Sequence, residues 1–244
     1  MSIEPQVYLL TPDNVAKLGY LGFTNVHTGK TVPLHEFINR TFPHFNLVVF
    51  LERVLAALGN AGKHPFAKAI EYNSDNQTLT ISISDANEEL RFIRQFCNKN
   101  GLITVHHTWF ELPLLFRGKT LSQYVLKESM QQYINMGLNK IEMVAALDNG
   151  GYVWAKYGFV ATKRTEVTKI LELAENQLTN VQFERVKAIY NRYYSNHPDG
   201  TSFPMILWAN IPFMKSVLTG AAWHGELDLK NEEQFNNFTI YVSR

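Results

Sequence analysis

Between Leu102 and Ala146 the chain reads LITVHHTWFEL, then PLLFRGKTLS. A stretch with Leu126, Met130, Tyr133 and Ile134 at helical spacing follows, then Gly137 and KIEMVAA. The first and last pieces are rich in β-branched or alternating apolar residues, and the middle has the period of a helix that stops at a glycine. A strand, a loop, a helix and a second strand at this spacing form a crossover unit. Upstream, Lys68–Tyr72 and Thr78–Ser84 read as two strands, and Asn73-Ser74-Asp75-Asn76-Gln77 between them suits a hairpin loop. The mixture predicts an α+β fold.

The flanking segments fill in the organisation. Residues 1–44, with Pro12, Pro33 and Pro43, read as an irregular arm. Asn46 is an N-cap for NLVVFLERVLAALG, whose Leu47, Phe50, Leu51, Val54, Leu55 and Leu58 predict a core helix. Glu88–Cys97 reads as a short helix with Leu90, Ile93 and Cys97 inward and Arg91 and Arg94 toward solvent. Beyond the crossover, Val167, Ile170, Leu171, Ala174 and Leu178 mark one helix. Thr179 with Gln182 makes a capping box for another, and together they predict an antiparallel helical hairpin. A loop over 195–204, a helix over Ile211–Leu218 and closing strands at Glu226–Leu229 and Phe238–Val242 complete the reading.

Composition excludes several classes. With 23 Lys and Arg against 22 Asp and Glu, a formal charge of +1 offers no electrostatic footprint for nucleic acid or an anionic membrane. No apolar run is long enough to span a bilayer, and the N-terminal residues lack a secretory leader. The single cysteine, Cys97, cannot form an internal disulfide and is expected as a buried or half-buried structural thiol. These features point to a cytoplasmic protein.

Gly-Lys-Thr occurs twice, at 29–31 and 118–120. A Walker loop needs a glycine five positions before the glycine of Gly-Lys, and Thr24 and Pro113 stand there instead. Neither copy is a nucleotide-binding loop, and the first is read as a turn. His106 and His107 are adjacent on a strand and point to opposite faces, so zinc chemistry is not indicated. The second copy has another use. A strand running through a tight loop into a helix presents unpaired N–H groups and the positive end of the helix dipole, beside which Arg117 and Lys119 add two cations.

Strand, FRGKTLS loop, helix, Gly137, KIEMVAA and the terminal WAKYGF together resemble the GNAT superfamily of acyltransferases, over about residues 68–165. The resemblance implies a mixed, mainly antiparallel sheet flanked by helices, with the helical hairpin as an addition. It divides the chain into an extension over 1–67 packed on the core, a core over 68–165, and a segment over 166–244 completing the same domain. It also implies acetyl-CoA or another acyl-CoA as cofactor. Phe110 and Leu112 would lie along the pantetheine arm, and Arg117, Gly118, Lys119, Thr120, Leu121 and Ser122 would hold the pyrophosphate. Asn149 would order the cofactor arm or cap a turn.

Acyl transfer to an amine needs a base, an acid for the departing thiolate, and donors for the oxyanion. Strict alternation puts His107, Trp109 and Glu111 on one face, so Glu111 and His107 are the expected bases. The family's tyrosine position, four residues before Gly158, holds Trp154, which leaves Tyr157 as the expected acid. Thr120 and Ser122 replace the pattern's glycines. A second reading therefore stands beside the first: a GNAT-fold binding or structural module without catalysis. The acceptor would be an amine on a small molecule or protein, and residues 1–67 would wall the substrate or make a homodimer contact.

Overall fold

A computed structural model describes residues 8–59, 61, 66–117, 121–146 and 149–243. It has an α+β fold with mostly antiparallel strands, and the chain divides into two compact units, essentially residues 1–140 and 141–242.

The first unit contains α1 (Pro12–Tyr20), β1 (Thr24–Thr28), α2 (Leu34–Thr41), α3 (Leu47–Leu58), β2 (Ala67–Asn73), β3 (Thr78–Ser84), β4 (Arg91–Lys99), β5 (Leu102–Glu111) and α4 (Leu121–Asn135). Its strands lie in the order β1-β2-β3-β4-β5, with β1 parallel to β2 and the rest antiparallel. From Pro12 to Thr41 the chain thus forms two helices and a strand, where an irregular arm over residues 1–44 is expected from the sequence. Pro12 opens α1 behind a Thr11–Asn14 capping box, and β1 adds to the sheet through Thr24 opposite Ala69. Asn46 caps α3 as expected, its Oδ1 accepting the Val49 N–H at 3.0 Å. The β2–β3 loop closes on Asn73, whose Oδ1 accepts the N–H groups of Asp75 and Asn76 at 2.9 and 2.8 Å.

Residues 88–97 are not helical. Arg91–Lys99 is strand β4, joined to β5 by the two-residue turn Asn100-Gly101 at φ 56° and 85°. Both residues need positive φ, which Asn and Gly adopt most easily, and this turn matches the twist of a hairpin. Leu90, Phe92, Arg94 and Phe96 are therefore buried on one face, while Cys97 is half-buried. On that face Phe96 meets Phe42, Phe45, Phe50 and Tyr133 at ring separations of 6.1, 5.2, 6.1 and 6.0 Å. The opposite face of β3 carries Thr78, Thr80, Ser82 and Ser84, all half-buried, so the alternation of TLTISIS decides which side becomes core.

The second unit contains β6 (Lys140–Ala145, its first residue falling in the first unit), α5 (Gly150–Lys156), β7 (Val160–Ala161), α6 (Arg164–Gln177), α7 (Asn180–Asn196), β8 (Phe203–Pro204), α8 (Ile206–Ala209), α9 (Met214–Thr219), β9 (Trp223–Asp228) and α10 (Glu232–Val242). Its strands lie in the order β6-β9-β7-β8. The Thr179–Gln182 capping box opens α7, and the hydroxyls of Thr168 on α6 and Tyr190 on α7 lie 3.0 Å apart. Phe238–Val242 is the end of α10, not a strand. The Asn231 side chain accepts the Gln234 N–H at 3.1 Å, and Glu232 and Glu233 sit in the first turn, where the helix dipole favours acids. The helix expected over Ile211–Leu218 begins only at Met214.

Candidate functional site

Strand β5 does not alternate strictly. Ile93 faces Trp109 and Gln95 faces His106, so two steps on β4 match three on β5. This bulge flips the side chains beyond it. Before the bulge, Val105 and His107 point into the core. After it, half-buried Phe110 takes that face, packing edge-on against Phe92 at 6.0 Å. The expectation that His107 and Glu111 share a face is thereby corrected: Glu111 lies with Trp109 and Arg91 on the other side.

On that side Glu111 accepts the indole N–H of Trp109 through Oε2 at 3.0 Å and Arg117 Nη2 through Oε1 at 3.2 Å. Arg117 Nε donates to the Leu112 carbonyl at 2.8 Å. The Arg91 guanidinium lies 5.2 Å from the Trp109 ring centroid. Glu111 and Arg117 keep 27% and 30% of their side-chain exposure, so the pair is reachable from solvent. Leu112 is buried, and Leu121 and Ser122, the first residues of α4, are half-buried. Gly118, Lys119 and Thr120 lie outside the described residues.

His107 is buried, and its Nε2 sits 3.0 Å from the Tyr133 hydroxyl. Burial first, then the charge of Arg94, then His106, hold it well below the usual histidine range. The unfolded chain therefore binds a proton at this residue below about pH 6.5 while the native one does not. Stability is expected to fall as pH drops below that point, by up to about 1.4 kcal/mol per pH unit for one proton. The measurement is denaturant unfolding between pH 7 and 5 for the wild type and His107→Gln. The variant should lose this component of the slope, and equal slopes would sink the assignment.

Tyr157 belongs to the second unit. It is buried and packs among Trp154, Phe238 and Tyr241 at ring separations of 5.7, 5.7 and 4.6 Å. Asn149 precedes α5 as its N-cap, without a side-chain capping hydrogen bond.

Two polar groupings were not anticipated. Arg94 is fully buried beside Tyr133 in the aromatic face of β4. In the second unit, Glu166 on α6 accepts both the backbone N–H and Nδ1 of His224 on β9, each at 2.7 Å, with Lys163 at 3.5 Å. Burial raises the Glu166 carboxyl, but the two His224 hydrogen bonds, the His224 charge and Lys163 outweigh it, and the net shift is downward. The pairing holds His224 with Nδ1–H toward Glu166. The partners are 58 residues apart, and no spacing rule links them.

Among the described residues no group of His, Cys, Asp and Glu has the arrangement of a metal site, and no helix is long and apolar enough to cross a membrane. Comparison of the chain with protein families, with curated proteins and with solved structures finds no match.

Proposed function

We propose that the protein is a GNAT-like N-acyltransferase of the cytoplasm that takes acetyl-CoA or another acyl-CoA and transfers the acyl group to an amine. The observation that carries this reading is the anchoring of Arg117. Its bonds to Glu111 and to the Leu112 carbonyl hold it against the end of β5, four residues before the start of α4, a helix of 15 residues. Such a helix offers backbone N–H groups and a positive dipole end to a pyrophosphate, and the Arg-Gly-Lys sequence supplies the cations. In this reading Glu111 is the base. His107 is withdrawn because it is buried and bonded to Tyr133, and Tyr157 keeps a packing role.

A second reading has its own support. Glu111 is engaged by Arg117 and Trp109, His107 is enclosed, and Tyr157 is packed among rings. Three candidate acid–base groups held this way suit a binding module of the same fold that performs no chemistry.

Calorimetric titration with acetyl-CoA and longer acyl-CoAs, with ATP as control, tests the first step. Arg117→Ala is expected to weaken acyl-CoA binding roughly 10- to 100-fold, the worth of charge-assisted hydrogen bonds to a phosphate. Binding without acyl transfer to any of a panel of amines would favour the second reading. No binding of any acyl-CoA would overturn the first.

A further inference from the structure

The most unusual side chain of the first unit is Arg94. It stands on β4 between Phe92 and Phe96, on the face that builds the aromatic core, and it has no solvent exposure. Its guanidinium carbon lies 4.3 Å from the Phe92 ring centroid and 5.3 Å from that of Phe110. Nη1 is satisfied, donating to the carbonyls of Ile93 at 3.0 Å and Trp109 at 2.9 Å. These bonds pin the bulge in β5.

The other edge of the group is not satisfied. Among the described residues, Nε and Nη2, which form one side of the guanidinium fork, meet no acceptor in close hydrogen-bonding geometry. The Tyr133 hydroxyl meets the guanidinium through charge and a side-chain hydrogen bond, though at neither Nε nor Nη2 in close geometry, and among the described residues no carboxylate pairs with it. Burial pulls the guanidinium down to about 10, with Tyr133 opposing, so it remains charged at neutral pH. A cation enclosed by rings, with two aligned N–H donors and no counter-charge, is costly unless an acceptor of opposite charge reaches it.

We propose that Arg94 anchors an internal site for a small monovalent anion of chloride size, held by Nε and Nη2. The chemical class follows from the surroundings. The free edge presents two parallel donors, which suits an anion more than a water molecule that must also donate. Enclosure by Phe92, Phe110 and Tyr133 leaves out carboxylates and phosphates with organic substituents. It also favours weakly hydrated chloride or bromide over ions that give up water reluctantly. The site is independent of acyl-CoA binding, because it lies on the core face of the sheet while Glu111 and Arg117 lie on the other.

The test is thermal unfolding of the full chain at constant ionic strength, with sodium gluconate replaced stepwise by sodium chloride or bromide. Beyond the dissociation constant, each tenfold rise in halide is expected to raise Tm by roughly 3–5 °C. Arg94→Met should show no such rise. A reading that does not need the variant to fold is bromide anomalous scattering from wild-type crystals, where a peak beside Nε and Nη2 is expected. A Tm indifferent to halide in the wild type, or the absence of a bromide peak at Arg94, would overturn the proposal.

Discussion

Gly151→Ala is expected to destabilise the protein by about 3 kcal/mol or more, lowering Tm by roughly 6 °C or more. A methyl group at this position would run into the carbonyl oxygen of Leu218 and would lie 2.5 Å from that of Ala221. Both obstacles are backbone, so neither can rotate away, and α5 would have to lift off the segment after α9. The shift would also strain the hydrogen bond from the Trp223 indole to the Gly151 carbonyl, at 3.2 Å. Gly150→Ala is the control. Its nearest neighbours stand at 3.7 Å, ordinary contact, and alanine has the better helix propensity, so little change or a small gain is expected. Denaturant unfolding of the two variants decides the matter: equal midpoints would mean that the close approach at Gly151 does not exist.

Phe96→Ala should cost about 3–5 kcal/mol, the range for removing a fully buried aromatic side chain. Four rings from α3, α4 and the segment before α3 converge on Phe96, and edge-to-face pairs among them add to simple burial. Phe96→Leu keeps most of the volume and is expected to cost less than about 1.5 kcal/mol. Hydrogen exchange should place the lost protection in β3, β4 and β5. A Phe96→Ala variant within about 1 kcal/mol of wild type would show that the cluster is not the centre of the first unit.

Residues 88–97 carry the spacing of a helix for one physical reason. Leu90, Phe92 and Phe96 carry the two-residue period of a strand, but Arg94 breaks it, and a cation in that register looks solvent-facing. Leu90, Ile93 and Cys97 then offer a helical spacing by coincidence. The opposing local signal is present as well: Asn100-Gly101 between two β-rich runs is a strong hairpin mark. Likewise Asn231 through Gln234 was a legible helix start, and Thr11-Pro12 another. His107 and Glu111 are parted for a different reason. Alternation is a sound rule for a regular strand, and nothing in LITVHHTWFEL announces the extra residue.

What the sequence determined by itself is what local physics writes into short windows. The caps of α3 and α7, the β2–β3 loop, the burial pattern of β3 and the α+β class all follow from nearest-neighbour hydrogen bonds and from the period at which apolar residues recur. Only the tertiary structure decided the rest. It placed the bulge in β5, enclosed Arg94 among rings, drew Arg117 back onto Glu111 and joined Glu166 to His224. Each of these depends on which strand pairs with which and on how large side chains share a core. Those are contacts between distant residues, and the spacing within any one segment carries no record of them.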